Sequence, residues 1–155
     1  MKIRLASPVL MPDSIVDGEG IRAVLWTQGC LHKCPGCQNP QTHSFDDGFL
    51  IDIEEVKEQI DALEGQDGIT FSGGDPFYNP EAFLLFVKRV KKETGLNIWC
   101  YTGYTYEEIQ ANPRLKAVLD YIDVLVDGRF EQALFSPYLE FRGSSNQRIL
   151  RIGNK

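Results

Sequence analysis

Four apolar, β-rich runs in this sequence end alike, in glycine or a polar residue. They are "RAVLWTQG" (22–29), "GITFSGGD" (68–75), "LNIWCYTG" (96–103) and "IDVLVDG" (122–128). Helical patterns fall between them. "DIEEVKEQIDAL" puts Ile53, Val56, Ile60 and Leu63 on one face, with Asp52 as N-cap and Glu55 three residues on. "NPEAFLLFVKRVKKETG" carries Pro80 in its first turn, basic residues near its end and Gly95 as its stop. Thr105 and Glu108 form a capping-box pattern, and Asn112-Pro113 opens a further helix through Leu115, Val118 and Leu119. "QRILRI" supplies a fifth strand. Such alternation predicts an α/β fold with a mostly parallel sheet and right-handed crossovers. A complete eight-fold barrel takes about 250 residues. The expectation for 155 residues is therefore one domain, 1–155, built as an open partial (βα) barrel with a wide mouth.

In parallel α/β folds, sites are built at the C-terminal edge of the strands. The four run ends named above converge on that edge, and a cysteine loop hangs from the first. Three of the four cysteines, Cys30, Cys34 and Cys37, lie in "CLHKCPGCQN". Disulfides need pairs, and a closed zinc site needs four ligands. Three thiolates on a four-iron cluster leave one iron open to an exogenous ligand, which suits chemistry more than electron storage. The competing reading is a Cys3His zinc site. His32, inside the loop, reaches such an ion only with strain, whereas His43 is sterically better placed. Spacing favours the cluster and leaves zinc open. Cys100, in the third run, reads as a small buried hydrophobe.

Composition narrows the setting. Hydrophobic residues at 43% and charged residues at 25% suit a folded domain. No apolar run approaches the ~20 residues that span a bilayer, and the N-terminus lacks a signal-peptide core. A net charge of −6 opposes a polyanionic partner. The expectation is a cytoplasmic chain with neither membrane nor direct nucleic-acid contact, where clustered cysteines are metal ligands or redox thiols.

The run Cys30-x3-Cys34-x2-Cys37 resembles the signature of the radical S-adenosylmethionine (SAM) family, and "SGGDP" (72–76) resembles its glycine-rich motif. "DGEGIR" (17–22) is similar to a segment of glycyl-radical activating enzymes. "GCLHKCPGCQNPQTH", "YTGYTYEEI", "DVLVDGRFE" and "FRGSSNQR" together resemble the family that activates anaerobic (class III) ribonucleotide reductase. The resemblance spans essentially the whole chain.

It implies a partial barrel of the radical SAM type. It also implies a 4Fe-4S cluster on Cys30, Cys34 and Cys37 whose open iron chelates SAM. Gly36, Cys37 and Gln38 would contact the cofactor through their backbone. Ser72, Gly73 and Gly74 would hold its methionine part, with Asp75 on the amino group. Thr102 and Asp127, at the next strand ends, are further cofactor candidates. Asp17, Glu19 and Arg22 would grip the partner polypeptide at the mouth. That partner is the catalytic subunit of anaerobic ribonucleotide reductase, on which a glycyl radical forms. Electrons would come from a small donor such as flavodoxin or ferredoxin. No catalytic base or nucleophile is required, and Tyr101, Tyr104 and Tyr106 read as packing and capping residues. Three positions depart from the wider pattern: Gly36 replaces an aromatic, Asp75 a glutamate, and Asp127-Gly128-Arg129 an Asp-Leu-Lys. The alternatives are an activase of another glycyl-radical enzyme, such as pyruvate formate-lyase, and a non-catalytic zinc module.

Overall fold

A computed structural model of the chain describes residues 1–30, 32, 44 and 47–152. Eight strands form one sheet: β1 Lys2–Leu5, β2 Met11–Ser14, β3 Arg22–Thr27, β4 Phe49–Asp52, β5 Gly68–Gly73, β6 Asn97–Tyr101, β7 Val124–Asp127 and β8 Arg148–Arg151. They run in the order β4-β1-β3-β5-β6-β7-β8, with β2 also on β3, and the sheet does not close. The centre, β3-β5-β6-β7, is parallel and in sequence order. The parallel centre is the one expected, and the flanks make the sheet mixed. β1, β2 and β4 pair antiparallel on one side, and β8 returns antiparallel along β7 on the other.

The helices are α1 Ile53–Ala62, α2 Pro80–Thr94, α3 Tyr106–Gln110 and α4 Pro113–Lys116, the last continuing as a 3-10 turn over Ala117–Tyr121. Their ends follow the sequence. Asp52 accepts from the Glu54 amide, closer in than a full capping box with Glu55. Thr105 and Glu108 make both bonds of a capping box. Gly95 ends α2 in the left-handed region at φ 67°, where a side chain would be strained.

Strand alternation sorts the parallel strands into two faces. Leu25, Ile69, Phe71, Ile98, Cys100 and Leu125 face the helices and join Val56, Phe83, Phe86, Val90 and Val118 in the main core. Phe71 meets Phe83 edge-on at 4.9 Å, a geometry that adds about 0.5–1.5 kcal/mol to burial alone. Among the described residues no α-helix contributes to the cluster on the opposite face. Trp99, Val124 and Val126 pack there with Tyr101, Phe141 and Ile149. A sheet covered on one face only leaves its other face free to line a cavity. Among the described residues no helix is long and apolar enough to cross a membrane.

Candidate active site

The four parallel strands deliver their C-terminal ends to one rim, around a cavity of about 520 Å³. Cys30, Ser72, Gly73, Gly74, Thr102 and Gly103 line it, and Asp17 and Tyr101 contribute to its walls. All four strand ends therefore meet here with the first cysteine, β7 through Gly128. Cys34, Gly36, Cys37, Gln38 and His43 lie outside the described residues.

Gly73 is fixed as glycine by its own sheet. Its φ is +97°, and a Cβ there would sit 2.5 Å from the Thr27 carbonyl oxygen. The turn then bonds back to β3: the Gly74 amide donates to Thr27 O at 2.8 Å and the Asp75 amide to Gly29 O at 2.9 Å. The glycine pair thus fastens the segment from which Cys30 projects. Sequence reasoning assigned these glycines to close cofactor approach and missed this strand-to-strand requirement.

Asp75 is 2% exposed and is not among the residues that line this cavity. Its Oδ1 accepts from the Phe77 amide at 3.0 Å and the Thr102 hydroxyl at 3.0 Å. Its Oδ2 lies 2.9 Å from the same hydroxyl, 2.9 Å from the Gly103 amide and 2.7 Å from His32 Nε2. A carboxylate has about four acceptor sites, and four donors surround this one. Among the described residues its oxygens are engaged within the fold. Asp75 is a hub behind the cavity wall, tying the turn after β5 to the end of β6 and to the cysteine loop.

His32, expected only as a strained zinc candidate, is the loop's contribution to that hub. Its side chain is 3% exposed. Tyr78 and Tyr104 flank the ring, with centroids at 5.1 and 4.9 Å. Burial pushes both phenol pKa values up, so these walls stay neutral.

Asp127 is also occupied. It is 1% exposed, accepts from the Tyr106 amide at 2.7 Å and pairs with Arg148. Its neighbours explain two motifs at once. Gln147 accepts from the Gly143 and Ser144 amides and donates to Gly128 O, while Asn146 donates to Arg129 O. "DGRFE" and "GSSNQR" are therefore two halves of one hydrogen-bonded corner beside the rim.

The three residues expected at the mouth separate. Asp17 reaches the cavity, its carbonyl bonded to the Thr70 hydroxyl at 2.6 Å. Glu19 is on the surface, where a hydrogen bond from Arg151 lowers its pKa. Arg22 is not among the residues that line the cavity. It starts β3, at the end opposite the rim, and is 1% exposed. Its guanidinium bonds Thr70, Glu19 O, Ile69 O and Asn97 and lies 5.5 Å from the Trp99 ring centre. Desolvation lowers its pKa, and this ring of acceptors keeps the buried cation paired.

The described part of the rim suits a cluster and a small cofactor. A thiol from Cys30 borders a cavity within the roughly 300–1,000 Å³ range of small-molecule sites. Gly73 and Gly74 leave backbone exposed beside it. The comparisons agree on the class. Residues 16–150 match the family model described as a 4Fe-4S single cluster domain. Over 149 residues the chain is 44% identical to the anaerobic ribonucleoside-triphosphate reductase-activating protein of Pasteurella multocida, covering 91% of this chain and 94% of that protein. The protein of the same name from Haemophilus influenzae is 43% identical over 148 residues, covering 91% and 94%. The one from Enterobacteria phage T4 is 40% identical over 145 residues, covering 90% of each. The chain belongs to the family of anaerobic ribonucleoside-triphosphate reductase-activating proteins, within that single-cluster class.

Proposed function

We propose that this chain, acting as one radical SAM domain in the cytoplasm, activates anaerobic ribonucleotide reductase by forming a glycyl radical on the reductase's catalytic subunit. The observation that carries this reading is the shared rim, where Cys30 and the Gly73-Gly74 turn border one cavity and are hydrogen-bonded to each other's segments. Cys30, Cys34 and Cys37 would hold a 4Fe-4S cluster. With SAM bound and one electron from a donor such as flavodoxin or ferredoxin, the cluster supplies reductive cleavage of the sulfonium and hence a radical that abstracts hydrogen from glycine.

The chain's own residues position and enclose. Ser72, Gly73 and Gly74 offer backbone to the methionine part, as would Gly36 and Gln38 from the loop. Thr102 borders the same cavity while its hydroxyl holds Asp75. Asp17 is the residue of the mouth segment best placed to meet an incoming polypeptide.

The test is anaerobic reconstitution with iron and sulfide, reduction, and addition of SAM. The expected results are a cluster spectrum that changes on addition, and a glycyl radical signal on the reductase. A radical formed only on pyruvate formate-lyase would move the assignment to that activase. A colourless, zinc-retaining protein that leaves SAM intact would end the radical reading.

A further inference from the structure

His32 is the one described residue of the cysteine loop between Cys30 and Ser44, and it sits in a socket built for a flat ring. Tyr78 and Tyr104 flank it. Gly103 forms the floor: a Cβ on that residue would lie 2.4 Å from His32 Cδ2. Asp75 closes the socket, 2.7 Å from Nε2. A carboxylate accepts, so Nε2 carries the proton in this pair. The far side of the same Asp75 belongs to the glycine-rich turn, whose amide bonds to Gly29 O. The loop that would bind the cluster and the turn that would bind the cofactor therefore meet through one imidazole.

We infer that His32 is a positioning residue: locked between Gly103, Tyr78, Tyr104 and Asp75, it sets the cysteine loop in register with the Gly73-Gly74 turn, so that a cluster on one faces SAM on the other. This rests on the function proposed above. In this role His32 is no cluster ligand, and its loss leaves the three cysteines intact. What it removes is the fixed separation between two half-sites. A donor at the Nε2 position is the feature that matters, because it is the bond that ties the loop to Asp75, whose Oδ2 otherwise keeps only the Gly103 amide and the Thr102 hydroxyl.

The test uses the full chain, reconstituted anaerobically, with iron and sulfide per chain as one reading. The other is the dissociation constant of SAM, from its effect on the EPR spectrum of the reduced cluster. His32→Phe fills the socket without a donor, and His32→Gln restores one. His32→Phe is expected to keep wild-type iron and bind SAM about ten- to a hundred-fold more weakly, the range set by one charge-assisted bond. His32→Gln is expected to recover most of that loss.

Gly103→Ala evicts the ring without altering the loop's sequence, and it serves if His32→Phe fails to fold. It is expected to weaken SAM binding as His32→Phe does, and to add little when combined with His32→Phe. Wild-type affinity in His32→Phe would overturn the positioning role, as would loss of its iron, which would make His32 part of the cluster site. A wild-type cluster that does not respond to SAM at all would instead sink the proposed function, and this inference with it.

Discussion

Arg148 grips Asp127 with two nitrogens, Nε 3.0 Å from Oδ1 and Nη2 2.5 Å from Oδ2. The pair joins the end of β7 to the antiparallel β8. Asp127 also accepts from the amide of Tyr106, the first residue of α3. One carboxylate therefore fixes a strand end, a helix start and the C-terminal strand. Its place beside the rim serves the architecture, and it is not among the residues that line the cavity of the candidate site.

This arrangement gives the first prediction. Asp127→Asn keeps the shape but loses the charge, and should cost about 1–3 kcal/mol. Arg148→Ala should cost less than a buried pair would suggest, because the Arg148 side chain is 45% exposed and screened by solvent. Urea unfolding of both single variants and the double should show that the losses do not add. SAM affinity in Asp127→Asn should stay within a few-fold of wild type. A large loss of affinity at unchanged stability would return Asp127 to the cofactor.

Gly73 and Gly65 make a matched pair for the second prediction. Both have positive φ, +97° and +72°. Around Gly65 a Cβ would meet nothing within 4 Å, whereas at Gly73 it would strike backbone. Gly65→Ala should cost about 1 kcal/mol, the left-handed penalty alone. Gly73→Ala should cost about 3 kcal/mol or more, since strain and collision act together. Equal shifts in thermal unfolding would show that the turn after β5 gives way freely.

These two examples mark what the sequence made legible. The parallel centre was readable because β3, β5, β6 and β7 are continuous apolar runs with caps and glycines at their ends. The flanks were not. β1, β2 and β4 have four residues each, and β2 is "MPDS", with Asp13 at φ 62°. Runs that short carry too few alternations to set a period. Of the candidate site, Cys30 and the glycine pair were legible from spacing. His32 on Asp75 and the burial of Arg22 were not, because both depend on contacts 43 or more residues apart. Polar residues in a glycine-rich stretch read alike whether they face solvent or a buried acceptor.

The third prediction separates the cysteines. Cys100 is fully buried on the helix-covered face, and burial raises its thiol pKa well above the ordinary value. Only the thiolate attacks alkylating agents or binds metal. Native Cys100 should resist iodoacetamide at neutral pH and react after denaturation. Cys100→Ala should keep its iron and lose about 1 kcal/mol of packing. Cys30→Ala and Cys34→Ala should lose the cluster. Equal iron loss in Cys100→Ala would overturn this division.

The same burial sets a limit at high pH. Desolvation raises Cys100 above its ordinary value near 9 and Tyr101 above its ordinary value near 10. The unfolded chain gives up these protons near those values, while the folded chain retains them. Above about pH 9 the folded state thus binds more protons, and stability must fall as pH rises. Each group adds a slope of about 1.4 kcal/mol per pH unit once its unfolded form ionises. Below pH 8 neither contributes any pH dependence. Urea unfolding between pH 7 and pH 10.5 should show the decline beginning near pH 9, and Cys100→Ala should lack its first component. Tyr101→Phe should flatten only the part above pH 10, at the cost of the Tyr101 hydroxyl's bond to Phe141 O at 2.7 Å. Parallel curves for wild type and Cys100→Ala across pH 9–10 would mean that the thiol ionises as easily in the fold as out of it. The helix-covered face would then be open to water around Cys100.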